Sequence, residues 1–98
     1  MGADTFGAKA KGKTAEHAFR EAVRRAEYDH GHAGYTGTIA EKDSYVMIPV
    51  PAEYKARPQD YARKLVEDSD PRIDDKWGPA GCIELGKDEW LFFGWASC

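Results

Sequence analysis

The sequence predicts an α+β fold: a two-layer sandwich in which an antiparallel sheet carries two helices on one face. Apolar and polar residues alternate in residues 5–13, as in a half-buried strand, and two short strand-like runs near the C-terminus flank Gly86-Lys87-Asp88, as in a hairpin. Two other segments repeat apolar residues every three to four positions, as amphipathic helices do. With 98 residues, of which 42% are hydrophobic, the chain can build one packed core. We therefore treat residues 1–98 as a single domain.

The first strand and the first helix are predicted within residues 5–30. In residues 5–13 apolar side chains alternate with lysines, a pattern that suits a sheet edge or a surface facing an anion. Thr14 occupies an N-cap position, and the apolar stripe that follows predicts a helix over about residues 15–30. Gly31 then suits a left-handed C-cap that ends this helix.

The remainder of the chain predicts a second helix and four more strands. Pro58 fits the first turn of a helix, and Pro/Gly/Asp-rich segments separate the other elements. The strands are predicted at 36–42, 45–50, 82–85 and 89–95, and the helix at 58–68. The resulting order, β-α-β-β-α-β-β, is a variant of the ferredoxin-like arrangement.

The last strand is apolar on both of its faces. In residues 90–95 one alternating set contains Trp90 and Phe92, and the other contains Leu91, Phe93 and Trp95. A strand buried on both sides needs a cover on the face that the helices leave open. The loop at 69–81 is one candidate cover and a second subunit is the other, and we expect a homodimer.

Composition and charge exclude several classes of protein. No apolar run approaches the roughly 20 residues that a membrane span requires, so we expect no membrane partner. The first residues lack the basic and apolar blocks of a signal peptide, which favours a cytoplasmic location. A formal net charge of −3 argues against general nucleic-acid binding, because phosphates require a basic surface.

The densest group of polar residues lies in and after a glycine-spaced loop. Glycines let backbone N–H groups approach a ligand, and successive N–H groups can form an anion-binding nest. Hydroxyls, imidazoles and a lysine add further donors, and an aromatic residue in the 69–81 loop can stack on a base. The predicted ligand-binding residues are His30, His32, Tyr35, Thr36, Gly37, Thr38, Lys42 and Trp77.

Each of these residues also has a purely structural interpretation. His30 continues the apolar stripe of the first helix, the glycines suit a C-cap, a turn and a bulge, and Trp77 can anchor its loop in the core. If the protein is an enzyme, His32 is the candidate acid or base of a metal-independent phosphodiesterase. We predict no metal and no cofactor, because His30 and His32 lack further ligands at recognised spacings.

Three segments resemble small proteins encoded by bacteriophages and prophages. They are Gly31–Ile39, which matches G-H-x-x-Y-x-G-T-I, together with Lys76–Ala80 and Phe92–Trp95. The resemblance implies a counter-defence protein, acting in a bacterial host cell, that binds and sequesters, or cleaves, a nucleotide immune signal. Cyclic dinucleotides and ADP-ribose derivatives, the signals of CBASS and Thoeris defence, are the implied ligand classes.

The alternative function is inhibition of a host defence enzyme through an acidic surface, as in some anti-CRISPR proteins. Four aspartates in eight residues, at positions 68, 70, 74 and 75, form an acidic loop that resembles a row of nucleic-acid phosphates. The same loop can equally be a solvated surface segment. Sequestration, cleavage and protein inhibition all remain open at this point.

Overall fold

The computed structural model describes residues 2–30 and 36–97. Within these ranges the chain forms four β-strands and two α-helices, joined by loops that include two short 3₁₀ turns at Ile39–Glu41 and Ala52–Tyr54. The elements are β1 (Ala3–Lys11), α1 (Ala15–His30), β2 (Tyr45–Met47), α2 (Pro58–Glu67), β3 (Ala80–Gly86) and β4 (Glu89–Ser97).

The strands form one mixed sheet in the order β1-β4-β3-β2. β4 lies in the interior and pairs antiparallel with β1 on one side and with β3 on the other. β2 is short and pairs with β3 in parallel, from Tyr45 opposite Ala80 to Met47 opposite Cys82. The nine-residue strand β1 therefore forms one edge of the sheet, and its outer side faces no other strand of the described chain.

The two helices lie on opposite faces of the sheet. Phe19 of α1 packs against Phe92 and belongs to the same buried cluster as Cys82. The helix α2 contributes to a second cluster, which contains the neighbouring strand residues Ile83, Leu91 and Phe93. Because successive side chains of a strand point to opposite faces, these two clusters lie on opposite sides of the sheet.

Small residues let α1 approach the sheet closely. Ala18 and Ala22 are buried in the same cluster as Ala10 of β1. The helix begins after Thr14, whose Oγ1 accepts a hydrogen bond from the backbone N–H of His17 at 3.1 Å. At the turn between β1 and α1, a Cβ on Gly12 would lie 2.7 Å from the backbone nitrogen of Ala18, so this turn requires a glycine.

The predicted α+β class is confirmed, whereas three details of the predicted arrangement are wrong. The sheet is mixed instead of antiparallel, because β2 runs parallel to β3. The segment 36–42, predicted as a strand, contains a 3₁₀ turn, so the order of strands and helices is β-α-β-α-β-β. The two helices, which we predicted on one face of the sheet, lie on opposite faces, one on each.

Both apolar faces of β4 are covered within a single chain. Phe92 lies under α1, and Leu91 and Phe93 pack in the cluster that contains α2 residues and the loop residue Ile73. The apolar character of this strand, from which we expected a homodimer, is thus explained without a second subunit. Among the described residues, neither helix is long and apolar enough to cross a membrane.

Candidate functional site

The structure describes five of the eight predicted ligand-binding residues in full. His32 and Tyr35 lie outside the described residues, and of His30 only its place as the last residue of α1 is described. Thr36, Gly37, Thr38 and Lys42 lie in the segment after α1, and Trp77 lies in the loop before β3.

The two threonine hydroxyls are engaged in a network within the chain. Thr36 donates both its backbone N–H and its hydroxyl to Oε2 of Glu41, at 3.0 and 2.9 Å. The hydroxyls of Thr36 and Thr38 are 2.8 Å apart, and because Thr36 gives its proton to the carboxylate, Thr38 is the donor in this contact. Thr38 Oγ1 also accepts from the backbone N–H of Ala40 and caps the 3₁₀ turn. Both hydroxyl protons therefore have acceptors inside the protein.

Gly37 ties this network to the sheet. Its backbone N–H donates to the carbonyl of Ser97 at 2.8 Å, and its φ of 72° is the left-handed conformation that glycine adopts most readily. The amides of Thr36 and Gly37, which the sequence suggested for an anion nest, are thus both bonded within the chain. Glu41 supplies an anion at this position, because its carboxylate accepts the N–H and the hydroxyl of Thr36, two donors that we had assigned to a ligand.

Sequence reasoning assigned no role to Glu41, although a signal was present. Thr38 and Glu41 are three residues apart, the spacing of a capping box at the start of a helix. That spacing favours a helical turn over the strand predicted at 36–42. In the structure the carboxylate of Glu41 reaches back to Thr36.

Lys42 is buried and holds a second loop. Its side chain is 3% exposed, and Nζ donates to three backbone carbonyls, those of Asp75 at 3.2 Å, Lys76 at 3.2 Å and Gly78 at 2.9 Å. An ammonium group has three N–H donors, so these contacts use all of them. Burial lowers the pKa of Lys42, and the nearby charge of Asp75 opposes that shift. In this arrangement Lys42 joins the segment 36–42 to the loop 75–78.

Trp77 is exposed at the surface and does not anchor its loop in the core. Its side chain is 60% exposed, and the Lys76 ammonium lies 5.4 Å from its ring centroid, within the range of a cation–π contact. The backbone N–H of Trp77 donates to Oδ1 of Asp75 at 2.8 Å. Lys76 also donates to the carbonyl of Gly2 at 3.3 Å, which places this loop beside the start of β1.

A long groove runs between the outer edge of β1 and the helix α1. Its larger part has a volume of about 510 Å³, and a second part of about 370 Å³ continues it towards the end of β1. Lys9 and Arg25 line both parts. We call the whole the β1–α1 groove. It is lined by residues 4–11, by His17, Glu21, Ala22, Arg25, Ala26, Asp29 and Glu89, and at one end by residues 36–39.

The hydrogen-bonding pattern of the sheet shows which backbone groups of β1 face this groove. The N–H of Gly12 donates to the carbonyl of Asp88, so the even-numbered residues of β1 point their N–H and C=O groups towards β4. The same alternation holds further along the sheet: the backbone carbonyl of Cys82 in β3 points away from β4 and accepts a hydrogen bond from the N–H of Ile48. The odd-numbered residues of β1, from Ala3 to Lys11, therefore direct their backbone groups outward.

The charged side chains that line the groove are of both signs: Lys9, Lys11 and Arg25 are basic, and Asp4, Glu21, Asp29 and Glu89 are acidic. Glu89 lies directly opposite Lys11 in the sheet, and Glu21 lies four residues before Arg25 on α1. None of the ion pairs between described residues involves Lys9, Lys11 or Arg25. The three side chains are exposed, and Lys9 and Lys11 lie on the face of β1 opposite to α1. On the face of this edge away from α1, Lys9 and Lys11 therefore present exposed positive charge, with Glu89 of β4 opposite Lys11.

The acidic loop is partly neutralised within the chain. Asp68 accepts from Lys64 at 2.7 Å, and Asp70 accepts from the Arg72 guanidinium at 2.9 and 3.1 Å. The hydrogen bonds from Arg72 lower the pKa of Asp70. Two of the four aspartates that we compared with phosphates thus already have cationic partners.

Comparisons with known proteins and a search for metal ligands assign no function. No family model, no curated protein and no solved structure matches the chain. In the part of the chain that the structure describes, no three His, Cys, Asp or Glu side chains are grouped so that they could hold a metal ion. The function must therefore be argued from the groove and the strand edge.

Proposed function

We propose that this chain is a protein-binding module that takes an extended segment of a partner into the β1–α1 groove as an additional strand. The observation that carries the proposal is the free edge of β1, whose outward backbone groups at Thr5, Gly7 and Lys9 line the groove. An unpaired strand edge presents alternating donors and acceptors, to which another strand is complementary. Strand addition of this kind is a recurrent mode of peptide recognition.

The dimensions and walls of the groove support this mode. The larger part follows six residues of β1, from Asp4 to Lys9, or about 20 Å of extended chain. The helix α1 forms the wall, with His17, Glu21 and Arg25 at four-residue intervals along it. A strand placed here would pair with β1 and pack beside α1.

Local bonding at Thr5 is consistent with an open edge. Its N–H donates to the side chain of the preceding Asp4 at 2.9 Å. This carboxylate gives way to a carbonyl when a partner strand arrives, because an exposed side chain is easily displaced by a backbone acceptor.

Binding of a phosphate-bearing nucleotide is the second candidate function. It is favoured by the exposed Arg25 on the groove wall and by the groove volume, which lies in the range of small-ligand sites. We rank it second because the threonine hydroxyls, the two loop amides and Lys42 already bond within the chain. Cleavage of such a nucleotide by His32 is a further proposal that concerns a residue outside the described ranges.

The counter-defence role rests on the resemblance to phage proteins. Combined with strand addition, it identifies a host defence enzyme as the class of partner, which the module would inhibit by occupying one of its extended segments. Combined with nucleotide binding, it identifies an immune signal as the ligand. The two versions predict different ligands in the same groove.

The test compares the two ligand classes by NMR on the full chain. A nine-residue peptide in which valine alternates with serine serves as the strand probe, and cyclic dinucleotides and cyclic ADP-ribose serve as nucleotide probes. We expect the peptide to shift the amide signals of Thr5, Gly7 and Lys9 and to slow their hydrogen exchange. Signals of β2, at the opposite edge of the sheet, provide an internal reference.

Proline substitutions provide matched variants. Gly7→Pro removes an outward N–H and should abolish peptide binding while the sheet persists, because proline is tolerated at an edge. Ala8→Pro removes an inward N–H and should lower the free energy of unfolding by at least about 1 kcal/mol. Strand addition is refuted if Gly7→Pro binds the peptide as the wild type does. It is also refuted if only the nucleotides shift the groove signals and Arg25→Gln weakens nucleotide binding.

A further inference from the structure

Resting on the proposed function, we infer that the partner segment alternates apolar and acidic side chains. The apolar side chains face α1, and the acidic ones face Lys9 and Lys11. The partner is therefore an extended acidic-amphipathic segment of another protein, and a second copy of β1 does not meet the requirement.

The face of the added strand towards α1 meets a mixed surface, in which apolar side chains lie beside Arg25 and Asp29 of α1. Phe6 and Ala8 of β1 are half-buried on this side and pack against the α1 cluster. On the helix, the groove is lined by Ala22 and Ala26, whose short side chains leave space for larger ones. Valine, isoleucine or leucine at alternate positions of the partner would fill this space and lose contact with water.

The opposite face of the added strand meets two lysines. Side chains at directly opposite positions of paired strands share a face, with their Cβ atoms about 5 Å apart. The residues opposite Lys9 and Lys11 therefore lie two apart in the partner and reach the ammonium groups if they are glutamate or aspartate. Both lysines are exposed, and neither takes part in the ion pairs between described residues, although Glu89 of β4 lies directly opposite Lys11 on the other side of β1.

A second copy of β1 cannot supply these carboxylates. Asp4 is the only acidic residue of the strand, and it lies on the face opposite to Lys9 and Lys11. When two copies of β1 pair antiparallel in one sheet, residues of the same face are opposite each other. With Gly7 opposite Gly7, for example, Lys9 faces Thr5 and Lys11 faces Ala3. Lysines on an edge strand act in this way against self-association.

The experiment measures the affinities of three peptides that share one length and one valine pattern. Their intervening residues are serine, glutamate or lysine, and binding is followed by the Gly7 amide shift at low and at high salt. We expect the glutamate peptide to bind roughly 2- to 30-fold more tightly than the serine peptide, the sum of two cross-strand charge pairs. Salt should reduce this difference.

Charge reversal provides the decisive comparison. Lys9→Glu/Lys11→Glu should invert the order, so that the lysine peptide binds most tightly. The control Lys55→Glu/Lys87→Glu changes the net charge equally at exposed lysines outside the β1–α1 groove and should keep the wild-type order. Amide spectra establish that each variant is folded before its affinities are compared.

The possible results separate the inference from the proposed function. If the peptides bind and Gly7→Pro abolishes binding, but charge reversal leaves their order unchanged, the acidic partner is refuted and strand addition stands. If charge reversal and its control change the order equally, the preference follows net charge, and the inference is again refuted. If no peptide perturbs the edge amides, strand addition itself is refuted.

Discussion

Replacing Lys42 with methionine tests whether a buried ammonium holds the Trp77 loop in place. Methionine has a similar length and keeps the apolar packing of the lysine stem, but it donates no hydrogen bond. The substitution removes three bonds, of 2.9 to 3.2 Å, from Nζ to the carbonyls of Asp75, Lys76 and Gly78. We expect the loop 75–78 to detach from the segment 36–42 and the protein to lose stability.

The magnitude follows from the bonds and from burial. A hydrogen bond from a charged donor contributes about 1.5–3 kcal/mol, so three of them set an upper limit of about 9 kcal/mol. Two effects reduce this value: the carbonyls of an exposed loop regain bonds to water, and burying the ammonium has its own cost, which the lowered pKa of Lys42 reflects. We expect the free energy of unfolding to fall by about 2–4 kcal/mol, or roughly 8–30 °C in Tm for a domain of this size.

The assay is urea unfolding followed by tryptophan fluorescence, with Lys64→Met as the matched control. Lys64 makes a shorter bond, 2.7 Å to Asp68, but both side chains are more than half exposed. Exposed pairs contribute little, so the control should keep the wild-type midpoint. The reasoning is refuted if Lys42→Met unfolds at the wild-type urea concentration, or if both variants lose the same stability.

Three further predictions concern packing, titration and the internal anion. Gly81→Ala places a Cβ 2.6 Å from Phe93 Cζ and should lower the free energy of unfolding by about 1–3 kcal/mol. Gly7→Ala, which adds a Cβ in open space, should leave the free energy of unfolding unchanged, and thermal unfolding of both variants tests this difference. Burial raises the pKa of the Cys82 thiol to about 12 in the folded protein. As the pH rises, the unfolded chain therefore loses the thiol proton at a lower pH than the folded protein does. Stability should therefore fall between pH 9 and 12, by up to about 1.4 kcal/mol per pH unit, and the Cys82→Ala variant should show a shallower decline in urea titrations. Glu41→Ala empties an anion position, so phosphate should raise the Tm of this variant and leave the wild type unchanged; equal effects on both would contradict an internal anion.

The elements with strong periodicity could be predicted from the sequence. The stripe of α1 repeats apolar residues at the period of a helix, the hairpin of β3 and β4 consists of two short apolar runs on either side of a turn, and both are present. The alternation of lysines in residues 5–13 correctly indicated an edge strand. In these segments the local preference and the tertiary environment favour the same conformation.

The placement of α2 required information that periodicity does not contain. An amphipathic stripe shows that a helix buries one side, but it does not show which face of a sheet that side covers. The clue was in β4, where Leu91 and Phe93 required burial opposite Phe92. Of the two covers that we considered, a loop and a second subunit, the loop 69–81 contributes Ile73, and α2, which we had not considered, contributes as well.

The role of Lys42 could not be predicted because its partners carry no sequence signal. Its acceptors are backbone carbonyls more than thirty residues away, and every residue has such a carbonyl. The same holds for Gly37, whose amide bonds to the carbonyl of Ser97 at the end of β4. A dense group of polar residues can thus serve either the fold or a ligand, and the distinction depends on where their hydrogen bonds end.

This distinction supports the proposed binding site at the strand edge. The polar groups of Thr36, Gly37, Glu41 and Lys42 are bonded within the chain, so a ligand that took them would first have to break existing bonds. Among the described residues, the hydrogen bond found at the outward backbone groups of β1 is the one from the Thr5 N–H to the Asp4 carboxylate, and pairing these groups with a partner breaks no bond of the sheet. The energetically accessible surface for recognition is therefore the β1–α1 groove, while the Thr36–Lys42 segment fixes one end of it.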